Sequence, residues 1–293
     1  MKKILKSIFE FIKNTFGFLT FILKLILKGS IKNNLKNKNN GTVAVLANGP
    51  SLKLELPKFT TDKEFEDIDF IVLNFFAFEK IFFEIKPKHY CFADPMFFQD
   101  SNRKADVIKI FNILENQVDW DLRIYIPSSL YLNFVGFSKF KNSHLIIVKN
   151  NELIYSGFES YRYFFYKKGL AMPRVQTVAN LAIFIALNSG YLNVRLYGVD
   201  HTFFDNLKID SDNKLCSAET HFYDNNRELI LKPLLRNDND EIWKISDYLE
   251  ALTHMFKSHD ELSAYAKYLK VNVLNYTACS MIDSYDRFVN KLL

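Results

Sequence analysis

Residues 42–52, Thr-Val-Ala-Val-Leu-Ala-Asn-Gly-Pro-Ser-Leu, restrict the fold more than any other stretch. An apolar run without polar alternation meets a cluster of turn formers. A strand with one wet face would alternate, so this run predicts a strand covered on both faces, as in a parallel sheet. Pro50 lacks an amide hydrogen where the first turn of a helix does not need one. Asn48 and Gly49 tolerate positive φ, so a tight turn and a helix start are expected. Ligands of open α/β sheets sit outside the carboxyl ends of the strands, and helix N-termini favour anions. A nucleotide-phosphate site at 47–52 is therefore one reading, and an ordinary strand-to-loop turn is the other.

The rest of the chain repeats the pattern. Strands are expected at 68–74, 87–95, 122–126, 145–148, 193–200 and 271–274. Helices are expected at 77–84, around 107–116, at 177–187, and in two late pieces, 241–256 and 260–268. Strands alternating with helices indicate right-handed βαβ units and a Rossmann-like, mostly parallel α/β sheet. Four polar residues close four of these strands: Asn48, Asn74, Asp94 and Asp200. In a doubly wound sheet those ends lie along one edge and can line one crevice. Taken singly, each reads first as a capping residue; taken together, the four favour a site.

Composition narrows the classes. Apolar residues make up 48% of the 293, which excludes a disordered chain. Cys91, Cys216 and Cys279 are too few and too scattered for a disulfide or zinc framework, so a reduced, cytoplasmic-side protein is expected. The net charge of +5 is unevenly spread: residues 1–40 carry +8, so the remaining 253 residues carry −3. A body of that charge is not a nucleic-acid-binding one.

The basic segment has its own logic. At about 100° per residue, Lys2, Lys6, Lys13, Lys24 and Lys28 share one sector of a helix over residues 2–28, and apolar residues fill most of the rest. The longest uncharged stretch, Asn14–Leu23, is ten residues, too short to span a bilayer, and no signal-cleavage pattern follows. A basic amphipathic helix lying in an anionic membrane surface is expected, with packing on the body or on a second subunit as the alternative. Gly29 ends it, and residues 30–41 read as a linker. The division is thus 1–40 for helix and linker and 41–293 for the body.

In their order, several segments resemble the bacterial sialyltransferases of glycosyltransferase family 42. They are Ala-Asn-Gly-Pro-Ser-Leu (47–52), Leu-Asn-Phe-Phe-Ala-Phe-Glu (73–79), Asp-Pro-Met-Phe-Phe (94–98), Arg-Val-Gln-Thr-Val-Ala (174–179), Tyr-Gly-Val-Asp (197–200), Thr-His-Phe-Tyr (220–223) and Val-Asn-Val-Leu-Asn-Tyr (271–276). The resemblance implies a GT-A-like variant of the Rossmann fold with a lid, here at about 202–240, a CMP-activated nonulosonate donor, and no metal or other cofactor. It implies CMP contacts from Asn48, Gly49, Ser51, Asn74, Asp94, Gln176, Thr177, Gly198 and Asp200, and His221 as general base. The sequence departs from the family in two places. Asp94 stands where the family has Asn, which sets a negative charge near an anionic donor unless it faces the ribose. Asp200-His201-Thr202-Phe203-Phe204 lacks the family's phosphate-holding tyrosines, leaving His201 or Tyr223 as substitutes.

The chemistry agrees with these residue types. A sugar hydroxyl needs a base that titrates near neutrality, and CMP leaves already ionised, needing donors rather than an acid. Asp67-Ile68-Asp69 opens a strand and Asp238-Asn239-Asp240 looks like a helix cap, so neither suits a metal-binding Asp-x-Asp. The expectation is an inverting transferase at the cytoplasmic face of a bacterial inner membrane, with a lipid-linked oligosaccharide acceptor in lipopolysaccharide or other surface-glycan synthesis. Homo-oligomerisation stays open. The rivals are a pterin-pyrophosphokinase-like phosphotransferase and a non-catalytic nucleotide-binding protein at the membrane surface.

Overall fold

The computed structural model describes residues 2–28, 40–219, 230–236 and 241–288. After α1 (Lys2–Lys28), β1 (Thr42–Leu46) leads into two one-turn helices, α2 (Leu52–Glu55) and α3 (Lys58–Thr61). Next come β2 (Asp69–Leu73), α4 (Ile81–Ile85), β3 (His89–Cys91), α5 (Lys104–Gln117), β4 (Leu122–Pro127), α6 (Tyr131–Ser138) and β5 (Leu145–Asn150). The chain then returns through α7 (Glu159–Lys167) and α8 (Val178–Asn188) to β6 (Asn193–Tyr197). Three short strands follow, β7 (Leu207–Ile209), β8 (Leu215–Glu219) and β9 (Ile230–Pro233), then α9 (Ile245–Leu269), β10 (Asn272–Asn275) and β11 (Asp286–Arg287).

The protein is an α/β molecule whose eight-stranded sheet has the order β11-β10-β6-β1-β2-β3-β4-β5, with parallel pairing throughout. The chain starts in the middle at β1, winds outward to β5, then crosses back to β6 on the other side. The order therefore reverses between β1 and β6, where Leu46 pairs with both Val72 and Tyr197. Crevices of such sheets form outside the carboxyl ends at that reversal. A separate antiparallel sheet, β7-β8-β9, follows β6.

Period two decides which core each strand residue enters. In β1, Val43 and Val45 join the layer of α8 and α9, whereas Ala44 and Leu46 join the layer of Phe59, Phe82, Phe111 and Phe134. The uniformly apolar α8 is buried from Val178 to Leu187 because the sheet covers one side of it and α9 another. Two expectations need correction. The helix expected at 77–84 is a 3-10 turn (Phe76–Phe78) followed by α4. The two late helices are one, α9, since Ser258, His259, Leu262 and Ser263 continue its buried stripe without Gly or Pro to break it.

α1 packs on the body through its C-terminal half. Phe21 and Leu25 are buried in the α8 core layer, with Phe18 and Ile22 partly buried beside them. Phe21 meets Tyr155 and Phe165 at ring distances of 5.1 and 4.9 Å. Each buried Phe or Leu contributes about 1.5–3 kcal/mol. Among the described residues no helix is long and apolar enough to cross a membrane.

Candidate functional site

The Asn-Gly-Pro-Ser loop is zipped to the extension of β6. The amides of Ala47 and Gly49 donate to the carbonyls of Tyr197 and Gly198, both at 2.9 Å. A Cβ on Gly49 would lie 1.7 Å from Asp200 Oδ2 and 2.4 Å from the Gly198 carbonyl. Neither Asn48 nor Gly49 has a positive φ, so the expectation from backbone freedom was mistaken: this glycine is required for space. The left-handed positions are instead Asn74 (φ 47°), Gly198 (φ 67°) and His201 (φ 55°), where β2 and β6 end. The helix opened by the loop also differs from expectation. With four residues, α2 has too few aligned peptides to present a developed dipole to an anion. Ser51 Oγ donates to Asp200 Oδ2 at 2.9 Å, and the helix lacks a side-chain cap.

Asp200 is buried and held from behind. Its carbonyl accepts from the Met281 amide at 2.8 Å, and the neighbouring Val199 carbonyl accepts from Ser280 Oγ at 2.7 Å. Asp200 thus fastens the loop through Ser51 and fills the space beside Gly49. It forms no part of the crevice wall described next.

In front of the loop lies a crevice of about 460 Å³, walled by Asn48, Gly49, Asn74 and Asp94. A volume of 300–1,000 Å³ suits a small-molecule ligand. Three of the expected strand ends therefore do converge. Asn74 Nδ2 donates to Asp94 Oδ2, and its carbonyl accepts from Tyr90 Oη. Asn74 Oδ1, in a residue only 7% exposed, has no hydrogen-bond partner among the described residues. Burial pushes the Asp94 carboxyl above its ordinary value, with the Asn74 amide opposing. The crevice wall thus holds one acceptor without a donor, Asn74 Oδ1, beside an Asp94 carboxylate that takes the Asn74 amide.

No protein-family model matches the chain, and no curated protein gives a significant match.

Lys53, Phe75, Phe78 and Arg103 also line the crevice, with the carboxylate of Glu79 among them. Phe75 and Phe78 stack at 5.8 Å and 7° between planes, and the Arg103 guanidinium lies 4.0 Å over the Phe75 ring. Arg103 also bonds Asp106 at 3.1 Å. The polar strand ends thus share one crevice with two cations, one further acid and stacked aromatic rings. Sequence reasoning sought polar residues at strand ends and passed over these side chains. The signal was present in Lys53, one residue past the turn, and in Arg103, the first cation after Asp94.

The other expected residues lie elsewhere. Arg174 and Gln176 are exposed and Thr177 is half-buried, and none of the three lines the crevice. Thr177 begins α8, where Asn180 Oδ1 accepts from the Thr177 amide at 3.3 Å. Gly198 sits behind the loop, where a Cβ would come within 2.8 Å of the Ala47 carbonyl. His201 is buried, its Nε2 3.0 Å from His259 Nε2, and His259 Nδ1 lies 3.2 Å from Tyr285 Oη. Burial holds His201 down to about 4 and His259 well below the ordinary range, so both rings are neutral and one donates to the other. His221, Tyr223 and Asp238-Asn239-Asp240 lie outside the described residues. Among the described residues no three His, Cys, Asp or Glu side chains come together as metal ligands would.

Proposed function

We propose that the crevice holds the nucleotide of an activated sugar. The protein is then an inverting glycosyltransferase that moves a nonulosonate from a CMP donor to a lipid-linked or other surface glycan. The observation that carries this reading is the unpartnered Asn74 Oδ1 beside Asp94, opposite Arg103 and Lys53. A ribose diol or the exocyclic amine of cytosine supplies a donor to the Asp94 carboxylate and, with a turn of the buried amide, to Asn74 Oδ1. Phosphate oxygens suit the guanidinium and the ammonium. An Asp at position 94 is compatible with an anionic donor because its carboxyl faces Asn74. The ordered resemblance to family 42 narrows the nucleotide to CMP and the fold to a GT-A-like variant.

In this reaction the acceptor oxygen bonds to the anomeric carbon from the face opposite CMP. The bond from that carbon to the phosphate oxygen breaks with its electron pair, and CMP departs towards Lys53 and Arg103. The acceptor's proton passes to a base, the role assigned to His221. The β7-β8-β9 sheet is assigned to the lid, and residues 41–293 to the transferase domain.

Binding of CMP, UMP and GMP by calorimetry, with hydrolysis of CMP-, UDP- and GDP-sugars, tests the reading. CMP alone should bind at micromolar levels, and the CMP-sugar alone should turn over. His221→Ala should abolish transfer with CMP binding intact. Unchanged turnover in that variant, or equal use of all three donors, refutes the assignment. CMP binding without any turnover would mark a nucleotide-binding scaffold instead.

A further inference from the structure

α1 has two apolar faces, and the body uses one of them. Phe18, Phe21 and Leu25 point into the protein. Ile12, Phe16, Leu19, Leu23 and Ile26 point away from it, between 56% (Leu23) and 70% (Phe16) exposed. At about 100° per residue the two sets are centred roughly 150° apart around the helix. The outward row runs on through Ile8 and Leu5, a strip about 30 Å long at 1.5 Å per residue. Its exposed area is on the order of 1,000 Å², beyond the few hundred Å² that a soluble monomer leaves uncovered.

We propose that this outward face of α1 lies in the surface of an anionic lipid bilayer and fixes the body to it. Charge selects the occupant. Lys2, Lys6, Lys13 and Lys24 form a row beside the apolar strip, and the single acid of α1, Glu10, offsets only Lys13, at 4.0 Å. Lysines so placed reach sideways to anionic headgroups while the strip sinks into the acyl boundary. A second copy on the same face would bring two lysine rows together with a single acid on each helix to match them. The helix is also rigidly held. Gly17 lies against Gly157, where a Cβ would come 3.2 Å from the Gly157 nitrogen, and the Gly17 carbonyl accepts from Ser156 Oγ at 2.8 Å. That loop leaves the sheet at the carboxyl end of β5, the edge on which the crevice opens. The bilayer therefore lies at a fixed orientation to the crevice. The proposal is independent of the nucleotide reading.

Removing α1 is the wrong test, since Phe21 and Leu25 belong to the core. The informative variant is the full chain carrying Phe16→Ser, Leu19→Ser and Leu23→Ser, which spares the docking stripe. Flotation with phosphatidylglycerol–phosphatidylcholine vesicles should capture the wild type. Pure phosphatidylcholine should capture at least tenfold less. The triple variant should lose at least tenfold on anionic vesicles with an unchanged thermal midpoint. Gln at Lys2, Lys6, Lys13 and Lys24 should abolish the preference for anionic lipid. Undiminished flotation of the triple variant overturns the proposal. So does a vesicle-indifferent wild type that forms, by light scattering, a dimer dissolved by the same three substitutions.

Discussion

The two edges of the large sheet carry similar polar residues and treat them oppositely. At the amino edge, His89 opens β3, with Nδ1 3.0 Å from Tyr125 Oη and Nε2 2.8 Å from Tyr191 Oη. Tyr191 donates to Asp69 at 2.7 Å, and Lys88 pairs with the same carboxylate at 2.7 Å. Both imidazole nitrogens are occupied and the chain of bonds ends in an ion pair. At the carboxyl edge, Asn74 and Asp94 bond each other and leave Asn74 Oδ1 without a donor. A closed network stabilises a fold, whereas an open one, costly when buried, is retained where a ligand closes it. The difference teaches which end of the sheet works and which end holds.

The largest expected effect breaks the working edge alone. Gly49→Ala places a methyl group 1.7 Å from the Asp200 carboxylate and must separate the loop from β6. CMP affinity should fall by 100-fold or more, and stability should fall with it, by the roughly 1–3 kcal/mol typical of overpacking, lowering the thermal midpoint. Gly136→Ala, where a Cβ meets nothing within 4 Å, should leave binding unchanged. Calorimetry and differential scanning on the pair decide the matter, and an unaffected Gly49→Ala would show that the loop does not shape the crevice.

A smaller effect belongs to the holding edge. Burial keeps His89 down to about 4, so the folded chain stays neutral there while an unfolded chain takes up a proton near 6.5. The unfolded state binds more protons between those values, so stability is complete above about pH 6.5 and lost as pH falls towards 4. For His89 alone the loss approaches about 3 kcal/mol, and His201 and His259 act in the same direction. Urea midpoints should therefore drop steeply over that window. His89→Gln should lower stability at pH 7, flatten the acid profile, and leave CMP affinity unchanged. A His89 variant that loses nucleotide binding would contradict the division of labour between the edges.

How legible this was depended on the range of the interactions. The parallel sheet and the strand ends could be read because an unbroken apolar run and its terminal turn are local features. Asn48, Asn74 and Asp94 converge as the topology rule requires. The space-limited role of Gly49 was not readable, because it depends on Asp200, far along the chain. The His201–His259 contact was hidden for the same reason, and so was the continuity of α9, whose buried stripe runs through His259. α1 was read as membrane surface or body contact, and it has a face for the body as well as an exposed apolar face. Positive φ and helix dipole, both local arguments, were assigned to the wrong residues in the loop.

Arg103 offers the finest test of the open edge. Its guanidinium is half-exposed, stacked on Phe75 and paired with Asp106, so Arg103→Ala should cost little stability, within the 0–1 kcal/mol of exposed ion pairs. If it meets phosphate, the same change should weaken CMP binding by about tenfold, equivalent to roughly 1.4 kcal/mol. Cytidine, which has no phosphate, should bind wild type and variant alike. Arg103→Lys should recover only part of the loss, since an ammonium lacks the planar fork. Equal weakening of cytidine and CMP would place the base, rather than the phosphate, against Arg103. That result would reverse the direction in which the nucleotide lies along the edge, while leaving Asn74 Oδ1 as the group it must satisfy.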